Sequence, residues 1–313
     1  MYYPYLRGKQ FELLALREFA DNYFEHCMVF PVIEPVKSSF NSMKLALRKL
    51  QEKGINYALI LNPQVGELFH KTEELEIELE DLLEDRNKWT PAFILNTNAI
   101  GILGHIREKG YQNVLLICED SVDVNNADVE ELISLSEVNK VIISNDNRSL
   151  KRKLDRLGKD VIRLDDKFKP QKRNADYVDI PEERFTEEHR YYKGDGFYGF
   201  GDYTVLPSDL SEGGRLPYAV AIHLTYEKNS EEVWVRHFVS DSNDDSTNIQ
   251  GKFGEAAEKA TRFFDRIHYS NFSINELSTY NHEGQYPGLG VLKKISIKNH
   301  LELMNGILTS TAD

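Results

Sequence analysis

The segment Val29-Phe30-Pro31-Val32-Ile33-Glu34-Pro35-Val36-Lys37 decides how the rest of the chain is read. It is a short apolar run that ends in two opposite charges. Five later segments share that form. Tyr57–Leu61 ends at Asn62-Pro63, Pro91–Leu95 at Asn96, and Asn113–Cys118 at Glu119-Asp120. Val138–Ile143 ends at Ser144-Asn145-Asp146, and Val161–Leu164 at Asp165-Asp166. Each run is followed by a stretch with apolar residues at helical spacing. Short, nearly continuous apolar strands alternating with helices suit a parallel sheet covered on both faces. The expected fold is a TIM-barrel-like (β/α)8 architecture with Val29–Lys37 as its first strand. An open doubly wound parallel sheet is the alternative.

Upstream, Tyr2–Leu6 reads as a short strand or plug, and a helix runs from Phe11 to about Asn22. One domain is expected over 1–313: regular βα units over 1–165, an irregular part over 166–248, and C-terminal helices over 249–313. In the irregular part, 167–196 reads as a mouth loop with a short helix near Glu182–His189. Phe197–Leu206 reads as strand seven. Tyr218–Glu227 and Glu232–Val239 alternate on either side of Lys228–Glu231, a hairpin signal whose first arm would supply strand eight. The acidic stretch 66–87 is expected as one long outer helix.

With 313 residues, 41% hydrophobic and 11% aromatic, the chain can bury a large core. Its start carries no signal-peptide pattern. No apolar run approaches the ~20 residues that span a bilayer. Cys27 and Cys118 sit among apolar neighbours and read as buried reduced thiols, which points to the cytoplasm. The net charge of −13 argues against wholesale coating of nucleic acid. One segment runs against that sum. Residues 148–173 hold eleven Lys or Arg against four Asp. They read either as a solvated helix face or as a nucleic-acid contact.

If the strands are parallel, their C-terminal ends share one mouth, where barrel reactions take place. That gathers Glu34, Lys37, Asn62, Asn96, Glu119, Asp120, Asn145, Asp165 and Asp166, with Asp202 and His223 from the last two strands. Asn and Asp in such places also cap the following helix. Glu34 and Lys37 are not preferred caps, and two opposite charges at one mouth would tune each other for acid–base work. A buried structural ion pair is the plainer reading. Oxygen ligands such as Glu119, Asp120 and Asp165 would suit magnesium, although no motif spacing supports a metal. The Gly-rich loop 211–215, with Arg215, is a phosphate-site candidate because it follows strand seven. Gly194–Gly201 opens no helix, so it is a poor dinucleotide loop. There is no zinc motif, nucleophile elbow or Walker loop.

The stretches Tyr3–Arg17, Pro31–Lys37 and Gly199–Thr204 resemble a family of bacterial proteins related to the Beta-protein family, which also occurs in phages. The resemblance implies a barrel-like α/β fold. It also implies a setting among phage-conflict and mobile genes, beside a small restriction-endonuclease-like partner encoded by a neighbouring gene. Lys9, Glu12, Glu34, Lys37 and Asp202 fall in the family's characteristic segments. Two functions follow as expectations. One is a binding or sensing barrel in an antiphage module, acting through protein–protein interaction. The other is an enzyme acting on a phosphate-bearing small molecule or nucleic acid, with Glu34, Lys37, Glu119, Asp120 and Asp202 at the mouth.

Overall fold

The computed structural model describes residues 1–144, 147–210 and 217–311. Its strands and helices alternate as the apolar periodicity implies. In chain order they begin β1 (Tyr5–Leu6), α1 (Gln10–Asn22), β2 (Val32–Ile33), α2 (Asn41–Glu52), β3 (Ala58–Ile60), α3 (Thr72–Glu78) and α4 (Glu80–Leu83). Then come β4 (Thr90–Leu95), α5 (Ala99–Lys109), β5 (Val114–Cys118), α6 (Ala127–Ser134), β6 (Val138–Ser144), α7 (Arg148–Arg156) and β7 (Asp160–Asp165). After a 3-10 turn at Asn174–Val178 follow β8 (Glu182–Thr186), α8 (Glu188–Tyr191), β9 (Gly199–Asp202), β10 (Ala221–Lys228) and β11 (Glu232–Val239). The chain ends in α9 (Ile249–Arg266), α10 (Phe272–His282) and α11 (Leu289–Ser310).

Eight strands, β1 to β7 and then β9, form one all-parallel sheet in that order. Tyr2 bridges in parallel to Val29 on one side and to Phe200 on the other, which brings the two ends of the sheet together. The Tyr3 amide donates to the Phe200 carbonyl at 2.8 Å. The sheet therefore curls into a barrel, and the open doubly wound alternative is set aside. Closure needs room at the seam. A Cβ on Gly201 would lie 2.0 Å from the Tyr3 carbonyl oxygen, and one on Gly199 2.4 Å from the Tyr3 ring. Only glycine lets β9 approach this closely.

Side chains alternate across each strand, and the two faces form separate cores. Tyr3, Tyr5, Val32, Ile60, Ile94 and Ile117 pack with Ile142 and Ile162 inside the barrel. Leu6, Ile33, Leu59, Phe93, Leu116 and Val141 pack outward among the helices. The registers agree, since Tyr5 pairs with Val32, Val32 with Ala58, Ile94 with Ile117 and Ile117 with Ile142.

Several expectations are corrected. The first barrel strand is β1, so Val29–Lys37 supplies the second. Of the two readings of Tyr2–Leu6, short strand or plug, the strand holds, and with two residues it has no period to mark it as part of the barrel. β9 is the eighth barrel strand. The hairpin lies outside the barrel, where β10, β11 and β8 form an antiparallel three-stranded sheet. Residues Glu182–Thr186, expected as helix, are the edge strand of that sheet. The acidic stretch is two short helices broken at Leu79. α11 is longer than the expected Lys298–Leu308, and it is buried along most of its length. It lies between the barrel core and a second core under the small sheet, so both of its faces are covered. Its buried ammonium groups are met there. Lys294 and Lys298 each donate to Glu18 of α1 and Glu276 of α10. No helix among the described residues is long and apolar enough to cross a membrane. Cys27 and Cys118 are free thiols, Cys118 buried and Cys27 half-buried.

Candidate functional site

Continuing the inward alternation to the C-terminal end of each strand places Arg7, Glu34, Asn62, Asn96, Glu119, Ser144, Asp166 and Tyr203 around the mouth. Tyr3–Arg17, Pro31–Lys37 and Gly199–Thr204 supply three adjacent strands here, in the order β9, β1, β2. Their mouth ends form the most enclosed part of the ring. The Glu34 carboxylate is fully buried and meets three donors. It accepts from the Tyr5 hydroxyl at 2.7 Å, from the Gln64 amide at 2.8 Å, and from the Arg7 guanidinium in a close ion pair. Arg7 in turn lies against the rings of Tyr5 and Tyr203, at 5.1 and 5.8 Å from their centroids. The two rings pack 5.0 Å apart. Burial pushes the Tyr203 hydroxyl up to about 12 and raises Tyr5 as well, so both stay protonated at neutral pH.

From Glu34 the network runs on through Gln64. Its side-chain amide donates to the Asn62 carbonyl at 2.6 Å and accepts from Asn96 Nδ2 at 2.7 Å. Asn62 bonds both the amide and the carbonyl of Ile94, each at 2.8 Å, and so extends the β3–β4 ladder past the end of β3. Asn96 accepts from the Thr97 amide at 2.6 Å and so fixes the turn into α5. These asparagines are within the mouth, and they also organise its backbone.

The other expected residues divide. Glu119 and Asp120 stand exposed at the end of β5, and the Ser144 hydroxyl donates to Asp120. Lys37 lies beyond the rim, where it reaches Glu67 at 2.9 Å, so the cation that meets Glu34 is Arg7. Lys9 and Glu12 form the N-terminal cap of α1, the buried Glu12 carboxylate accepting from the Lys9 amide at 3.0 Å. Asp165 points outward from the barrel interior and pairs with Arg163 at 2.7 Å and Lys167 at 3.4 Å. Asp202 is also on the outer face. It accepts from the Tyr2 hydroxyl at 2.6 Å and from the Thr204 amide at 2.8 Å, and it faces His300 of α11 at 3.3 Å. The expected meeting of Glu34, Lys37 and Asp202 at one mouth does not occur. His223 is not at the mouth either, because β10 belongs to the small sheet. Asn145 and Arg215 lie outside the described residues, as does the 211–215 loop.

No family model, curated protein or solved structure matches the chain.

Tyr5, Arg7, Gln64 and Tyr203 are members of the site that the strand-end pattern does not mark. Arg7 carried a usable signal, since it follows Tyr3 and Tyr5 at alternate positions, but only once that segment is recognised as a strand. In the basic segment, Lys153 donates to the Val124 carbonyl and Lys159 to the carbonyls of Leu135 and Val138. These cations hold the ends of neighbouring elements. Among the described residues no three His, Cys, Asp or Glu side chains gather as a metal-binding group.

Proposed function

We propose that the protein is a binding barrel whose mouth recognises a ligand or partner, and that it works in the cytoplasm within a bacterial antiphage or mobile-element conflict module. The proposed partner is the restriction-endonuclease-like protein of that module. The module and its partner rest on the family resemblance. The binding role rests on one observation, the complete enclosure of Glu34. The carboxylate is enclosed by a phenol, a guanidinium and a backbone amide. A general base needs a lone pair within reach of the proton it removes. A carboxylate enclosed in this way, with no exposed surface, serves better to hold the rim in one shape.

The exposed Glu119 and Asp120 favour a second reading, an enzyme acting on a phosphate-bearing small molecule or nucleic acid. Co-expression of the chain with the product of its neighbouring gene separates the two. The binding role requires a stable complex on gel filtration, with native mass spectrometry showing any bound small molecule unchanged. Turnover of a phosphate ester or nucleic acid that disappears in Glu119→Gln would overturn it in favour of the enzyme.

A further inference from the structure

The outer face of α7 carries charge that nothing in the fold neutralises. Arg148, Arg152 and Arg156 recur at i, i+4 and i+8 and so form one stripe along the helix, about 12 Å from end to end. All three are exposed, and among the described residues none has a carboxylate within ion-pair distance. We propose that this stripe binds the phosphodiester backbone of nucleic acid without reading its bases.

Leu150 and Leu154 are the buried side of the helix, and the arginines lie opposite them. The lysines of α7 leave on its flanks and are engaged. Lys151 donates to the Gly196 carbonyl at 3.1 Å and pairs with Asp155 at 3.0 Å. Lys153 donates to the Val124 carbonyl at 2.8 Å and pairs with Glu130 at 3.2 Å. Asp155, the only carboxylate on α7, is thus held by a lysine. The lysines brace the helix against its neighbours, and the arginines are left to solvent.

Two further observations point to a polyanion. Like charges at i, i+4 repel and destabilise a helix. The stripe holds two such pairs, in a chain whose net charge of −13 offers carboxylates in excess. An external row of anions relieves that repulsion where no internal carboxylate is in reach. The second observation is the segment beside the helix. Lys151 lies over the Phe197 ring at 4.8 Å and so ties α7 to the chain around Gly196. That segment adds Lys193, exposed and likewise without a carboxylate in ion-pair distance among the described residues, and the exposed rings of Tyr191 and Tyr198. Cations that track a backbone beside exposed aromatic rings are the parts of a nucleic-acid groove. Guanidinium forks match phosphate oxygens and keep their charge at any working pH. Successive arginines stand ~6 Å apart along the axis, of the order of the distance between neighbouring phosphates on one strand. A protein partner would need an apolar centre to the contact, and no apolar side chain stands between these arginines.

The test is fluorescence anisotropy of a labelled random-sequence DNA oligonucleotide, as single strand and as duplex, titrated with the full chain over a series of salt concentrations. The proposal expects a dissociation constant of about 10⁻⁴–10⁻⁶ M at physiological salt. Three phosphate contacts give a slope of log affinity against log salt of about −2.7 on duplex and about −2.1 on single strand. Either form satisfies the proposal, and the tighter one names the ligand. Arg148→Gln/Arg152→Gln/Arg156→Gln should weaken binding at least about tenfold at low salt and flatten the slope. Glutamine is a good helix former, so circular dichroism should match the parent and the melting temperature should be no lower. The same charge change on other exposed arginines, Arg48→Gln/Arg262→Gln/Arg266→Gln, should leave affinity and slope as they were. Absence of DNA binding would overturn the proposal. So would affinity kept by the α7 variant or an equal loss in the control variant. Polyglutamate competing as well as unlabelled DNA would also overturn it, and would assign the stripe to an acidic protein. None of these outcomes depends on whether the barrel mouth binds a partner.

Discussion

Arg7 and Glu34 meet across the joint between β1 and β2, with the carboxylate wholly enclosed and the guanidinium held against two tyrosine rings. Each residue stabilises the fold only in the presence of the other. A buried carboxylate that loses its cation keeps its desolvation cost and loses the attraction that offset it. Arg7→Ala should therefore destabilise the protein by about 3–5 kcal/mol. Arg7→Met combined with Glu34→Leu should recover most of that loss. Urea unfolding measures both. A single-variant loss below about 1 kcal/mol would mean that the pair behaves as a solvated surface bridge.

Barrel closure depends on a missing methyl group. Gly201→Ala puts a carbon where the Tyr3 carbonyl already sits, and neither backbone can yield without parting β9 from the N-terminal segment. The expected outcome is insoluble protein, or a stability loss above about 3 kcal/mol, as for other severe core strain. Gly254 of α9 is the contrasting case, because no neighbouring atom lies within 4 Å of the place its Cβ would take. Gly254→Ala should raise stability by about 0.5–1 kcal/mol through helix propensity. Thermal melts of the two variants should move in opposite directions.

The Tyr2–Asp202 hydrogen bond locks the same seam. Asp202 also accepts from the amide of Thr204, a β-branched residue held at φ 57°, where such residues are strained. A double-mutant cycle of Tyr2→Phe and Asp202→Asn should give a coupling of about 1.5–3 kcal/mol, the range for hydrogen bonds to charged groups. Coupling near zero would remove Asp202 from the closure.

Glu302 on α11 gives the fold a pH signature. Burial raises its carboxyl from the ordinary 4.5 to about 7, although Ser273 donates its amide to it at 3.0 Å. A folded-state value above the unfolded one adds stability fully below about 4.5, and that contribution is lost as pH rises through about 7. Glu302→Gln mimics the protonated form. Its advantage over the parent should be near zero at acid pH and grow to on the order of 3 kcal/mol above neutrality. His223 and His237 act with the opposite sign. Their folded values lie below the ordinary 6.5, so the stability they contribute is lost as pH falls below it. The difference between parent and variant cancels that background. A flat difference across pH would show Glu302 to be solvated.

The sequence by itself determined the layered α/β plan. Apolar runs such as Tyr57–Leu61 and Asn113–Cys118 are long enough to show their own periodicity, and the helices between them fix parallel pairing. It also determined the β10–β11 hairpin, whose alternation and turn are local. It placed Glu34, Asn62, Asn96 and Glu119 at strand ends, which the parity of the barrel then turned toward the mouth. Only the tertiary structure decided which segment opens the barrel, that Tyr2 closes it, that Arg7 rather than Lys37 meets Glu34, and that Asp202 faces α11. Those facts rest on register between β9, β1 and β2, where Tyr2 meets Asp202 across 200 positions of the chain and Arg7 meets Glu34 across 27. A one-residue shift of register would turn every side chain to the other face. No local pattern in a strand of two residues carries that information.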